Sequence, residues 1–197
     1  MTKTKEIKLQ PLLINRIKVK VKGITPLIQD KIPQEAKDQI LAKQTGTSKS
    51  NKKKVRRIEE ETMDAIHTTS KGIIGFPAEG FKKGMIESTS FVGDKFFSKK
   101  LVRGVRIMNA VDGLIPIKFK KQSVLEHFIN PNTKFSPMFE DWSCEIEFGF
   151  DPNNISAQDI LTLVNYAGFY NGIGSWRPNG GGGGSGEYGM YEVAKSR

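Results

Sequence analysis

The segment 172–189 of this 197-residue chain is the stretch best equipped for chemistry. It reads Gly-Ile-Gly-Ser-Trp-Arg-Pro-Asn, then a glycine run, then Gly-Glu-Tyr-Gly. Glycines let a backbone approach a phosphate closely and turn N–H donors toward it. Gly174 stands in that role, Arg177 adds a planar cation, and Trp176 adds a face on which a base can stack for ~1–3 kcal/mol. No Gly-Lys-Ser/Thr follows and no helix starts there, so the spacing fits neither a P-loop nor a dinucleotide fingerprint. Lys82 and Lys83 lie near the start of a helix, where free N–H groups already favour an anion. Residues 95–106 interleave Phe96 and Phe97 with lysines, Arg103 and Arg106, a composition suited to single-stranded nucleic acid. Lys118, Lys120 and Lys121 extend the positive character.

Charge points the same way. The chain carries 31 Lys+Arg against 21 Asp+Glu, a net +10. Residues 1–60 hold 16 of the cations and only 6 acids, and residues 61–197 hold 15 of each. The excess is densest at Lys49-Ser-Asn-Lys52-Lys53-Lys54-Val-Arg56-Arg57, a self-repelling run expected as a flexible insertion over about 45–57. Such a run reads either as a solubility-promoting loop or, functionally, as an electrostatic footprint for nucleic acid. No hydrophobic anchor follows it, which disfavours a membrane partner.

Catalytic groups are few. His67 and His127 are the only imidazoles, and both read as structural. Cys144 is the single cysteine, which excludes an internal disulfide and a cysteine zinc cluster. It falls on an apolar strand face as an inert thiol. Glu59, Glu60, Glu61 and Asp64 neighbour Arg56 and Arg57 as ion pairs along a helix, so no metal or cofactor is expected. No apolar run nears the ~18 residues of a membrane span. The basic N-terminus has no continuous apolar signal core, and the expected setting is the reducing cytoplasm.

The positioning elements follow from periodicity. Residues 17–24 alternate strictly, with Ile17, Val19 and Val21 on one face and Lys18, Lys20 and Lys22 on the other, a strand with a cationic side. Residues 34–44 form a helix. Residues 54–68 form another, with Val55, Ile58, Met63 and Ile66 inward. Gly72–Phe76 is a short strand, and Pro77 opens a helix with Phe81 and Met85 on one face. Residues 101–108 and 113–119 pair as a hairpin around Asp112-Gly113. Residues 120–140, with Pro131 and Pro137, are a long loop. Residues 142–150 alternate again, Ser156 and Asp159 start a helix as a capping box, and 187–193 is a last strand. The whole is α+β with a mainly antiparallel sheet, one domain over 1–197, and its end units suit a ferredoxin-like core with insertions.

Three stretches, in order, resemble the RAMP superfamily, the RNA-binding proteins of CRISPR effector complexes. Val21–Ile28 resembles the family's opening strand and Thr-Pro-Leu exit. Gly75–Ser88 resembles its Ile-Pro-x-x-x-Leu-Lys-Gly helix start, with Phe81 where Leu is usual and Glu87 replacing a common Arg. Gly172 to Val193 resembles its glycine-rich loop and following strand. The resemblance implies a modified RNA-recognition-motif domain with the glycine-rich loop at its C-terminal end. It implies a non-catalytic protein that grips single-stranded RNA or DNA by the backbone, as a homo-oligomer along the strand. The chain also looks like a phage-encoded relative, which would place it in a bacterial host's cytoplasm with CRISPR or phage replication proteins as further partners. The alternatives are a protein-binding mimic or inhibitor of a CRISPR effector complex, and a metal-independent endoribonuclease using His67.

Overall fold

The computed structural model describes residues 11–47, 57–92, 98–129, 132–180 and 186–194. β1 (Asn15–Gly23) follows its alternation: Val19 and Val21 are buried, and Lys18, Lys20 and Lys22 face solvent. It lies between β8 (Ser143–Phe150) and β9 (Tyr191–Val193), antiparallel to both, with Val19 opposite Ile146 and Val21 opposite Cys144. Outside β8 come β5 (Leu114–Lys118) and then β3 (Gly75–Pro77), while β4 (Arg106–Ile107) pairs with the far end of β8.

Two helices supply the buried layer. α3 (Ala78–Ser88) starts directly after Pro77 and buries Phe81 and Met85. α5 (Ala157–Tyr166) starts at a true capping box, with Ser156 and Asp159 serving each other's backbone N–H groups, and buries Ile160, Leu163 and Val164. These side chains join Val19, Ile146, Phe148 and Trp142 in one core. The Trp142 indole lies under β1, where Nε1–H donates to the Thr25 carbonyl at 2.9 Å. Taken alone, the chain order β1-α3-β5-β8-α5-β9 folds into the spatial order β5-β8-β1-β9, with every neighbouring pair antiparallel. The architecture is therefore α+β with antiparallel sheets.

Three expectations are corrected. Residues 120–140 are a long hairpin, not a loop: β6 (Lys121–Ile129) pairs with β7 (Asn132–Glu140), and β2 (Leu27–Ile28) flanks β7. Pro137 faces the side of the two-residue strand β2, and its carbonyl accepts from Gln29 N–H at 3.1 Å, just past the end of that strand. Residues 101–119 do not pair as a hairpin. Ser98 caps α4 (Lys99–Gly104), β4 joins β8, and the Asn109 amide completes that edge, donating to Glu145 O at 2.8 Å and accepting from Glu147 N–H at 2.9 Å. Asp112 and Gly113 do turn the chain with positive φ, but the turn closes only a bridge between Val111 and Leu114.

The second predicted helix is also shorter than expected: α2 (Ile58–Asp64) leaves Ile58 and Met63 exposed, enters the interior through Thr62, and is followed by buried Ala65 and Ile66. Val55 lies outside the described residues. α1 (Gln34–Gln44) forms as expected and buries nothing.

Candidate nucleic-acid interface

The glycine-rich segment begins where α5 widens into a π turn, Ala167–Asn171. From there its two limbs run side by side. Ile173 N–H donates to Gly189 O at 2.9 Å, and Tyr188 N–H to Trp176 O at 3.1 Å. Both limbs lean on the chain leaving β1: Ser175 N–H reaches Ile28 O at 3.0 Å, and Gly189 N–H reaches Pro26 O at 2.8 Å. Glycine is required for this approach. A Cβ on Gly174 (φ +81) would lie 2.3 Å from Ile28 O, and one on Gly189 (φ +67) would lie 1.8 Å from Ile173 O. These N–H groups therefore serve the fold, which corrects the expectation of a loop with its donors turned outward. Gly181–184 lie outside the described residues.

A cleft of about 260 Å³ opens between this loop and α3. Lys83 and Glu87 of α3 form one wall, Arg177 and the backbone of Gly172–Gly174 another, and His67 and Asp30 a third. Lys83 pairs with Glu79 at 2.8 Å, with both side chains mostly exposed. Such a pair contributes little and yields readily to a phosphate. Arg177 Nη1 donates to Gly174 O at 3.0 Å, which holds its guanidinium along the loop. The floor is fixed by buried Asn171, which donates to Gly84 O at 3.0 Å and accepts from Asn179 Nδ2 at 2.7 Å. His67 N–H donates to Gln29 Oε1 at 2.7 Å, and its ring meets Phe76 edge-on. Burial, then Lys31 and Lys37, lowers the His67 pKa, so the imidazole is neutral at pH 7.

Trp176 stands at the loop's outer edge with φ +59, its indole edge-on to His127 at 5.2 Å. Sequence reasoning missed this contact because His127 belongs to β6, read as loop. His67, read as structural with RNA cleavage as its alternative role, lies at the same cleft as the glycine-rich segment. The signal for β6 was the run Val124, Leu125, His127, Phe128, Ile129, rich in strand formers.

The other proposed contacts scatter. Lys82 and Lys83 do not act as a pair. Lys82 Nζ turns away to donate to Val102 O at 2.6 Å, Arg103 O at 3.2 Å and Val105 O, closing the end of α4. Burial, then Arg106, pushes its pKa down to about 8. Lys82→Met strands those carbonyls and is expected to cost about 1–3 kcal/mol in urea unfolding; an unchanged midpoint would show that water replaces the ammonium fully.

Lys18, Lys20 and Lys22 share their sheet face with Glu145 and Glu147 of β8, and Lys18 lies 3.9 Å from Glu145. That face is mixed in charge. It carries a groove of about 620 Å³ flanked by Lys20, Lys22, Lys118 and Lys120. Arg103 ends α4 and Arg106 lies on β4, so the two do not share a hairpin. Arg57 is exposed and pairs with Glu60 at 2.7 Å. Lys52, Lys53, Lys54, Arg56, Phe96 and Phe97 lie outside the described residues. Cys144 is buried, which pushes its thiol up to about 12 and leaves it inert. Among the described residues no cluster of acids, histidines and cysteines could hold a metal ion, and no helix is long and apolar enough to cross a membrane.

No family model matches the chain, and no curated protein matches it. Among solved structures it is similar to Cmr6 from Pyrococcus furiosus, with a TM-score of 0.42 and 9% identity over 92% of this chain and 98% of that one.

Proposed function

We propose that this protein is a non-catalytic single-stranded nucleic-acid-binding protein of the RAMP type, which holds a phosphate backbone in the cleft between α3 and the glycine-rich loop. The observation that carries this is convergence: Lys83 and Arg177, far apart in sequence, line one cleft together with the backbone of Gly172–Gly174. The ordered motifs at Val21–Ile28, Gly75–Ser88 and Gly172–Val193 support the family, and the strand order β5-β8-β1-β9 supports a ferredoxin-like core. The net charge of +10 supplies long-range attraction for either RNA or DNA, and copies of the protein follow one another along the strand.

Fluorescence anisotropy with labelled single-stranded RNA and DNA tests this. Binding is expected at about 50 mM salt and weakens as salt rises, because each phosphate contact releases counterions. Lys83→Ala with Arg177→Ala is expected to lower the log–log salt slope by about 1.4, which is ~0.7 for each of two contacts. Absence of binding to either strand at low salt defeats the proposal. His67 at the same cleft, neutral at pH 7, favours metal-independent RNA cleavage as a second reading. RNA recovered intact after prolonged incubation disposes of it.

A further inference from the structure

Aromatic rings gather where the end of α3 meets the π turn. Phe91 and Tyr170 stack face to face, with centroids 4.5 Å apart and planes at 8°. Phe169 meets Tyr170 edge-on at 5.1 Å, and Tyr166 leans against it at 5.6 Å. Phe91, Phe169 and Tyr170 remain 42%, 55% and 41% exposed. A cluster of uncovered rings is unfavourable in water and marks an interaction surface.

The fold holds this cluster rigidly. Gly172 N–H closes onto Ala167 O at 2.9 Å to complete the π turn, and Asn171 ties the turn to Gly84 O of α3. Single π turns of this kind recur at functional sites. The cluster also neighbours the cleft along the chain. Asn171 ends the turn that presents Phe169 and Tyr170 and is itself a cleft residue, and Glu87, another, lies four residues before Phe91, which follows the end of α3.

We infer that Phe91, Phe169 and Tyr170 form a stacking platform for an unpaired nucleobase of the strand whose phosphates lie in the cleft. This deepens the function proposed above and rests on it. Three features select a base as the occupant. The surface is built of partly exposed aromatic rings, and stacking on aromatic rings suits every base without sequence preference. Its chain neighbours Asn171 and Glu87 line the same cleft as Lys83 and Arg177. The net charge of +10, all of it carried by residues 1–60, draws a polyanion to the molecule.

The test uses the whole protein and two labelled probes of about 20 nucleotides, an oligoadenylate and a strand of the same length carrying abasic sites. The wild type is expected to bind the oligoadenylate about tenfold more tightly, the size of one good stacking contact. Phe169→Ala and Phe169→Leu, at an exposed position, are expected to erase that difference while leaving affinity for the abasic strand unchanged. Three results overturn the platform while leaving backbone binding intact: equal affinity of the wild type for both probes, retention of the preference in Phe169→Ala, or its retention in Phe169→Leu, which keeps the apolar bulk but has no π face. Loss of all binding by the wild type defeats the functional proposal as well. A dimer seen by sedimentation of the nucleic-acid-free protein and dissolved by Phe169→Ala assigns the rings to self-association and refutes a base platform.

Discussion

Gly189→Ala is expected to unlock the glycine-rich loop, with a loss of about 3 kcal/mol or more in unfolding free energy and of strand binding together. The new Cβ would lie 1.8 Å from Ile173 O, against backbone that cannot swing away like a flexible side chain. Relief requires parting the limbs, which breaks the bond from Ile173 N–H to Gly189 O and the bond from Gly189 N–H to Pro26 O. The φ of +67 adds its own penalty for any residue with a side chain. Gly104→Ala is the control, since its Cβ meets nothing within 4 Å; its unfolding free energy should stay within about 0.5 kcal/mol of wild type. A Gly189→Ala protein that melts and binds like the wild type would falsify the close approach of Gly189 to Ile173 O.

Shortening residues 47–57 is expected to have the opposite signature, a large effect on binding with little effect on stability. The deleted stretch carries Lys49, Lys52, Lys53, Lys54, Arg56 and Arg57. If each neutralises a phosphate of a single strand, the salt slope falls by up to about 4 and low-salt affinity drops on the order of a hundredfold. The core is spared because α1 on one side buries nothing and α2 on the other enters only through Thr62, ahead of Ala65 and Ile66. Anisotropy across a salt series and a thermal melt read the two effects separately. An unchanged slope removes this segment from the interface.

The parts of this fold that local chemistry decides were legible in the sequence. Val19 and Val21 alternate with lysines, Pro77 precedes a helix with Phe81 and Met85 one turn apart, and Ser156 and Asp159 stand at capping-box spacing. What depends on a distant partner was not. Arg106 and Ile107 pair with Gly149 and Phe148 of β8, although a turn formed at Asp112-Gly113 as its residues demand. Pro131 and Pro137 argue against a strand over 120–140, yet Pro137 lies within β7 and its carbonyl accepts from Gln29 N–H. The candidate site shows the same division. Its glycines, Trp176 and Arg177 announce a loop, but neighbouring residues on a helix point about 100° apart. Only the fold shows that Lys83 faces the cleft while Lys82 closes α4.

The central place of β1 has a kinetic consequence. Both its edges are filled from the other end of the chain, by β8 beginning at Ser143 and β9 beginning at Tyr191. During synthesis β1 leaves the ribosome long before either partner exists, an unpaired strand of Ile17, Val19 and Val21 with its hydrogen-bonding groups open. Such strands seed aggregation, and charged residues on alternate positions are the usual protection. Lys18, Lys20 and Lys22 supply that protection while the strand waits, so the cationic row guards the nascent chain before it meets the acids of β8.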